Sequence, residues 1–245
     1  MPRTAKKRVV QSQWLRLTEA SNALDSLQRC YDFLGVVDHD EKAWKWVVIT
    51  LHDALYGFMV CALTGTDPGD VKREVILRNG KTVKRLIDFN TALKRCQKNN
   101  PLGIWMRRCP LRFTVQQRLS IKKMQGQFRN AFAHYQPGGW SIELFIMPGM
   151  ILDVLAVLRF LLIDTQTIYN LQQLSQTERK KLKSLLYQCP RLLKKTRTHR
   201  DLEAVKNGTA RVYQRPTRSK ARQAFNAVWA DLEKQRRQAP NARPT

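Results

Sequence analysis

Apolar residues recurring every three or four positions run through the first two thirds of the chain, and that period favours helices packed on one another over any sheet-based body. Trp14, Leu17, Leu24, Leu27, Tyr31 and Leu34 trace one amphipathic helix. A second follows Asp38-His39-Asp40-Glu41, whose carboxylates can cap and favour its positive end, and runs through Trp44-Lys45-Trp46-Val47-Val48-Ile49-Thr50-Leu51 to Leu63. It is apolar on most faces, as suits an element packed by several others. Gly65-Thr66-Asp67-Pro68-Gly69 then breaks the chain.

Between residues 74 and 87 the period changes. Glu74 to Arg78 and Lys81 to Arg85 flank Asn79-Gly80, a strong hairpin signal, and predict a small two-stranded insertion. Asp88 to Gln97 reads as a short helix, and Thr114 as the cap of a long one ending near Tyr135. Trp140, Ile142 and Leu144 alternate as a short extended piece. A further helix is expected from Met150 to about Leu174, with Leu152, Leu155, Leu158, Leu162 and Ile163 facing inward. The expected class is all-α, with a helical domain over 12–170 and a basic, partly helical extension over 171–245. That extension is read as a helix at 177–187, a basic linker from Arg200 to Arg218, and an amphipathic helix at 217–236 carrying Phe225, Val228, Trp229 and Leu232.

Charge narrows the partners. The 245 residues carry a net +25, which points to a polyanion, nucleic acid before a membrane surface. From Leu171 onward 19 Lys or Arg stand against 5 Asp or Glu, the densest footprint in the chain. Five cysteines without a C-x-x-C or paired histidines indicate neither a disulfide framework nor a zinc site, and suit reduced thiols, with Cys61 in the core. The basic N-terminus lacks an apolar segment behind it, so no secretory signal is expected. Leu144 to Ile163 has the length of a membrane span, but Pro148, Gly149, Asp153 and Arg159 fit a buried helix better. The expectation is a cytoplasmic protein without a membrane partner. No G-x4-G-K-[ST] and no G-x-G-x-x-G occurs, so no phosphate-cradling loop and no cofactor is expected.

The chemistry-bearing pattern is Phe128-Arg129-Asn130-Ala131-Phe132-Ala133-His134-Tyr135. Cleaving a phosphodiester beside a ribose 2′-OH needs a base for the hydroxyl, a cation for the developing phosphorane charge, and an orienting donor or acceptor. His134, Arg129 and Asn130 are candidates for these roles. Of the four histidines only His134 has an arginine and an amide at helical spacing, and histidine alone titrates near neutrality unperturbed. The alternative reading is a histidine that favourably ends a helix at its negative pole. On a regular helix, Lys123, Gln127, Asn130 and His134 form a polar stripe beside an apolar one of Met124, Phe128, Ala131, Phe132 and Tyr135. Arg129 stands about 140° round the axis from His134, which two helices paired in a dimer would accommodate. Lys123, Gln127, Tyr135 and His52 are the candidate substrate-binding residues. Glu143 and Asp153 read as surface or capping carboxylates.

Arg129-Asn130-Ala131-Phe132-Ala133-His134, with Tyr135-Gln136-Pro137-Gly138-Gly139-Trp140-Ser141-Ile142-Glu143 behind it, resembles the motif block of a bacterial branch of the HEPN superfamily (higher eukaryotes and prokaryotes nucleotide-binding). That family's motif is Arg, four to six residues, then His. The Trp44 to Leu63 helix, with Leu51-His52-Asp53-Ala54-Leu55, resembles the branch's preceding helix, and the likeness extends over about residues 12 to 170. It implies a HEPN-like four-helix bundle and a metal-independent endoribonuclease acting on RNA, with Arg129, Asn130 and His134 in a cleft completed in a homodimer. It also implies a defence or toxin role with a neutralising antitoxin protein as partner. The alternative it leaves open is a non-catalytic member that binds nucleic acid or a partner protein.

Overall fold

The computed structural model describes residues 14–64, 71–98, 109–133 and 141–211; within them the chain is mostly helical, with one two-stranded antiparallel hairpin. Helix α1 (Glu19–Leu34) starts at a capping box: the Thr18 hydroxyl accepts from the Ser21 amide at 3.1 Å, and the Ser21 hydroxyl accepts from the Thr18 amide at 2.9 Å. Thr18 thus fixes the start four residues beyond Trp14. Trp14 and Leu17 fit the apolar period but lie outside the helix, 82% and 57% exposed.

Helix α2 (Ala43–Leu63) is the expected all-round apolar element, and Trp44, Val47, Val48, Leu51, Leu55, Phe58 and Met59 are buried on it. The acidic run before it works differently from the simple cap expected of it. Asp40 accepts from the Lys42 amide at 2.9 Å, while Asp38 reaches across the fold to accept from the Arg197 amide at 2.8 Å. At Gly57 the helix lies so close to α1 that an added Cβ would stand 2.7 Å from the Ala23 Cβ. Gly57→Ala is therefore expected to destabilise the fold by about 1–3 kcal/mol even though alanine gains about 1 kcal/mol in helix propensity. Urea denaturation checks this, and adding Ala23→Gly should recover most of the loss.

The hairpin pairs β1 (Lys72–Ile76) with β2 (Thr82–Leu86), with Val75 opposite Val83 and Gly80 at φ +75° in the turn. Helix α3 (Phe89–Gln97) is capped by Asp88, which accepts from the Thr91 amide at 2.9 Å. That bond first, then the Thr91 hydroxyl and the nearby Arg73, holds the Asp88 carboxyl below its ordinary range.

Helix α4 (Val115–Lys123) passes through a π turn at Met124–Arg129 into a last α-helical turn, α5 (Asn130–Ala133). Helix α6 (Ile146–Arg159) starts four residues before the expected Met150, because Pro148 is tolerated in a first turn, and runs into a second π turn at Phe160–Asp164. Gln166, at φ 61°, ends the run, so the helix expected to reach Leu174 is divided, with α7 (Thr167–Asn170) beyond the break. Helix α8 (Gln176–Lys195) is nearly twice the expected 177–187 and packs against α1 and α6. Helix α9 (Arg197–Lys206) takes up residues 200–206 of the span that the sequence reads as a basic linker from Arg200 to Arg218. The expected helix at 217–236 lies outside the described residues, as does Trp140 of the extended piece, whose remaining residues form no strand.

The chain divides into two compact units, Met1–Leu202 and Glu203–Thr245. In the first, α2 lies against α1, α3, α6 and the first π turn, and one apolar core joins these helices to α8. Among the described residues two helices, α2 and α6 with its π turn, are long and apolar enough to cross a membrane, and most of each is buried against the other helices. The thiols of Cys30 on α1 and Cys189 on α8 meet in this core; their hydrogen bond, and then burial, raise the Cys30 pKa well above its usual value. Burial pushes Cys61 up to about 12. Neither group is a thiolate at neutral pH, so neither is a nucleophile.

Candidate nucleic-acid interface and catalytic motif

Thr114 opens the motif-bearing helix with a second capping box, its hydroxyl accepting from the Gln117 amide at 3.2 Å and its own amide donating to Gln117 Oε1 at 2.9 Å. Near its far end the backbone widens into the π turn, with Gly126 exposed inside it. A turn of i→i+5 type takes more residues than the 3.6 of an α-helix, and such turns occur disproportionately at functional sites. This one ends on Arg129.

The apolar and polar faces separate much as the sequence indicates. Met124 and Phe128 are buried, Ala131 and Phe132 half-buried, and the rings of Phe128 and Phe132 stack with centroids 6.2 Å apart. Gln127 and Asn130 are exposed, and Lys123 is half-buried. Arg129 is half-buried and donates from Nη1 to Asn130 Oδ1 at 3.5 Å, a long bond that sets guanidinium and amide side by side. The amide oxygen is thereby turned to the cation, and the Asn130 Nδ2 hydrogens point elsewhere as donors. His134 and Tyr135 lie outside the described residues.

His52 is placed by packing. It is buried on α2, its ring stacks on Phe89 of α3 at 4.5 Å, and Nδ1 lies 3.1 Å from Asp53 Oδ1. These contacts hold it in the core. Asp153 does more than a surface carboxylate: Oδ2 accepts from the buried Ser120 hydroxyl at 2.5 Å and ties α6 to α4, the helix that carries Arg129. Ser120 is the residue that sequence reasoning missed, and a small polar side chain on the apolar face of α4 was the available signal. Glu143 is exposed, as expected of it. No group of three His, Cys, Asp or Glu side chains suited to a metal ion occurs among the described residues.

The strongest electrostatic feature is α8. Leu182, Leu185, Leu186, Cys189 and Leu193 turn inward, while Lys180, Lys181, Arg191, Lys194 and Lys195 are exposed on the opposite arc of a helix about 30 Å long. Its one acidic residue, Glu178, is engaged in the capping box; bonds from the Ser175 hydroxyl and then its amide hold the carboxyl below its usual range. Lys183 leaves the arc and sits 4.6 Å over the Tyr169 ring. The basic arc is thus free of acidic neighbours on its own helix and presents cations along a line, as phosphate binding requires. No family model, no curated protein and no solved structure matches the chain.

Proposed function

We propose that the chain is a metal-independent endoribonuclease of HEPN type. The observation that carries the reading is the contact of Arg129 with Asn130 at the end of a π turn, on the helix whose sequence continues to His134. In this proposal His134 takes the proton from the ribose 2′-OH, whose oxygen attacks the adjacent phosphorus to form a 2′,3′-cyclic phosphate, and the P–O5′ bond breaks as the 5′-oxygen of the next nucleotide leaves and takes a proton from water. Arg129 stabilises the charge that builds on the phosphoryl oxygens, and Asn130 orients the phosphate through Nδ2. Exposed Gln127 and half-buried Lys123 lie on the same helix for substrate contact, with Tyr135 following His134 in sequence. The four-helix HEPN bundle is the architecture this reading assigns to α1, α2, α4 and α6. The cytoplasm is the compartment that supplies RNA.

The test is incubation of the purified protein with RNA in EDTA, where discrete fragments are expected and intact RNA would refute the activity. On a regular helix five steps turn through about 140°, a spacing at which an arginine and a histidine of one chain would face different sides. A second copy related by a two-fold axis brings an arginine of one to the histidine of the other. Light scattering at micromolar concentration should therefore return twice the 28.6 kDa of one chain. A monomeric mass would remove the composite site. The basic arc on α8 favours a second reading, a nucleic-acid-binding protein without cleavage, which salt-sensitive binding of RNA that stays intact would select. A neutralising partner protein belongs to the same proposal, since an active RNase of this kind needs restraint in the cell that makes it.

A further inference from the structure

The β1–β2 hairpin has no role in the proposed cleavage, yet it is dense in cations. Both strands are exposed along their length except for half-buried Val75 and Val83, and a two-stranded ribbon of this kind is marginal in water by itself. It carries six cations, Lys72, Arg73, Arg78, Lys81, Lys84 and Arg85, against one acid, Glu74. The register sets Arg73 directly opposite Arg85, a like-charged cross-strand pair that weakens the ribbon unless an anion lies between them. Asp88 answers only one of them, at 3.3 Å from Arg73. The other five cations form no ion pair among the described residues. Residues directly opposite share a face, so Lys72, Lys84 and the exposed Ile76 lie on one side, with Glu74 directly opposite Lys84, the two arginines lie on the other beside half-buried Val75 and Val83, and Arg78 and Lys81 lie at the turn.

We propose that this hairpin is a binding arm for single-stranded RNA, its cations on both faces contacting successive phosphates. Lysines and arginines along both edges oppose strand addition by another protein. An A-form duplex has a major groove too narrow for a ribbon to enter, whereas a single strand can wrap both faces. Ile76, 75% exposed on the face that carries Lys72 and Lys84, offers apolar contact to ribose or base. The inference rests on RNA as the partner and not on its cleavage.

The full chain is titrated with a 2′-O-methyl RNA oligonucleotide, which lacks the attacking hydroxyl and stays intact, across a series of salt concentrations. Lys81→Thr with Arg85→Thr keeps β-branched residues in or beside the strand and removes two contacts. Binding should weaken about tenfold, and the slope of log K against log salt should shrink by about 1.4, at about 0.7 per phosphate on a single strand. The variant should melt no lower than the parent, because the like-charged pair is gone. Should it melt early, Lys81→Thr alone serves, with a slope change of about 0.7. Arg29→Gln with Lys42→Gln removes equal charge elsewhere and should change little. The same variants are titrated with phosphatidylserine vesicles, and unchanged affinity and slope for the RNA, an equal loss in the control pair, or a loss seen with the vesicles and not with the RNA would each overturn the proposal. Cleavage of unmodified RNA is read separately: a chain that binds through the hairpin but never cuts refutes the nuclease reading and leaves the arm standing.

Discussion

Replacing His134 with alanine is expected to abolish RNA cleavage while leaving the helical fold and the proposed dimer intact. On a regular helix a residue four positions after the exposed Asn130 shares its polar face, and His134 stands at that spacing in the sequence. The base for the 2′-OH would be gone with little loss of packing. Arg129→Ala should lower cleavage on the order of 100-fold or more, the usual effect of removing a group that stabilises transition-state charge. Asn130→Ala should lose less, because water can replace an orienting amide in part. Rates are measured on one short RNA with circular dichroism as the control for folding. A His134→Ala protein that cuts at the parent rate would remove this residue from the mechanism.

Phe58→Ala should have the largest effect on stability. Phe58 is fully buried on α2, the helix against which α1, α3, α6 and the first π turn all pack. Truncating such a ring removes its burial and leaves a cavity that several helices would have to shift to fill, a loss of about 3–5 kcal/mol. Against a total of about 5–15 kcal/mol for a domain, that leaves little margin. The midpoint of urea unfolding reads it directly, and a midpoint within error of the parent would place Phe58 outside the cooperative core.

The elements most legible in the sequence were those whose signals are local. Asn79-Gly80 marked the hairpin, Asp88 and Thr114 marked helix starts, and the apolar run from Trp44 to Leu63 marked α2, because turn, cap and burial patterns are all contained within a few residues. What escaped depends on distant partners. Asp38 caps a helix start 159 residues away, and the Ser120–Asp153 bond joins two helices, so neither shows as a pattern along the chain. Trp14 and Leu17 kept the helical period beyond the helix, since period alone cannot tell where a capping box will stop it. The basic composition of Arg197 to Lys206 hid a helix because Lys and Arg are good helix formers as well as common in linkers. The π turn before Asn130 had no sequence signal beyond Gly126. Of the site itself, the sequence supplied Arg129 and Asn130 as candidates but not the bond between them, since neighbouring residues on a helix do not face each other, and the stacking of His52 on Phe89 needed the packing of α3.

The account turns on attack by the 2′-OH, and the ends of the products report that step most directly. RNA digested by the purified protein in EDTA should yield fragments ending in 2′,3′-cyclic phosphate, each followed by a fragment with a free 5′-hydroxyl. The same RNA with a 2′-O-methyl group at the cleavage position should stay intact. Fragments carrying 3′-hydroxyl and 5′-phosphate ends, or cleavage that persists beside a blocked 2′-position, would contradict the assignment of His134 as the base.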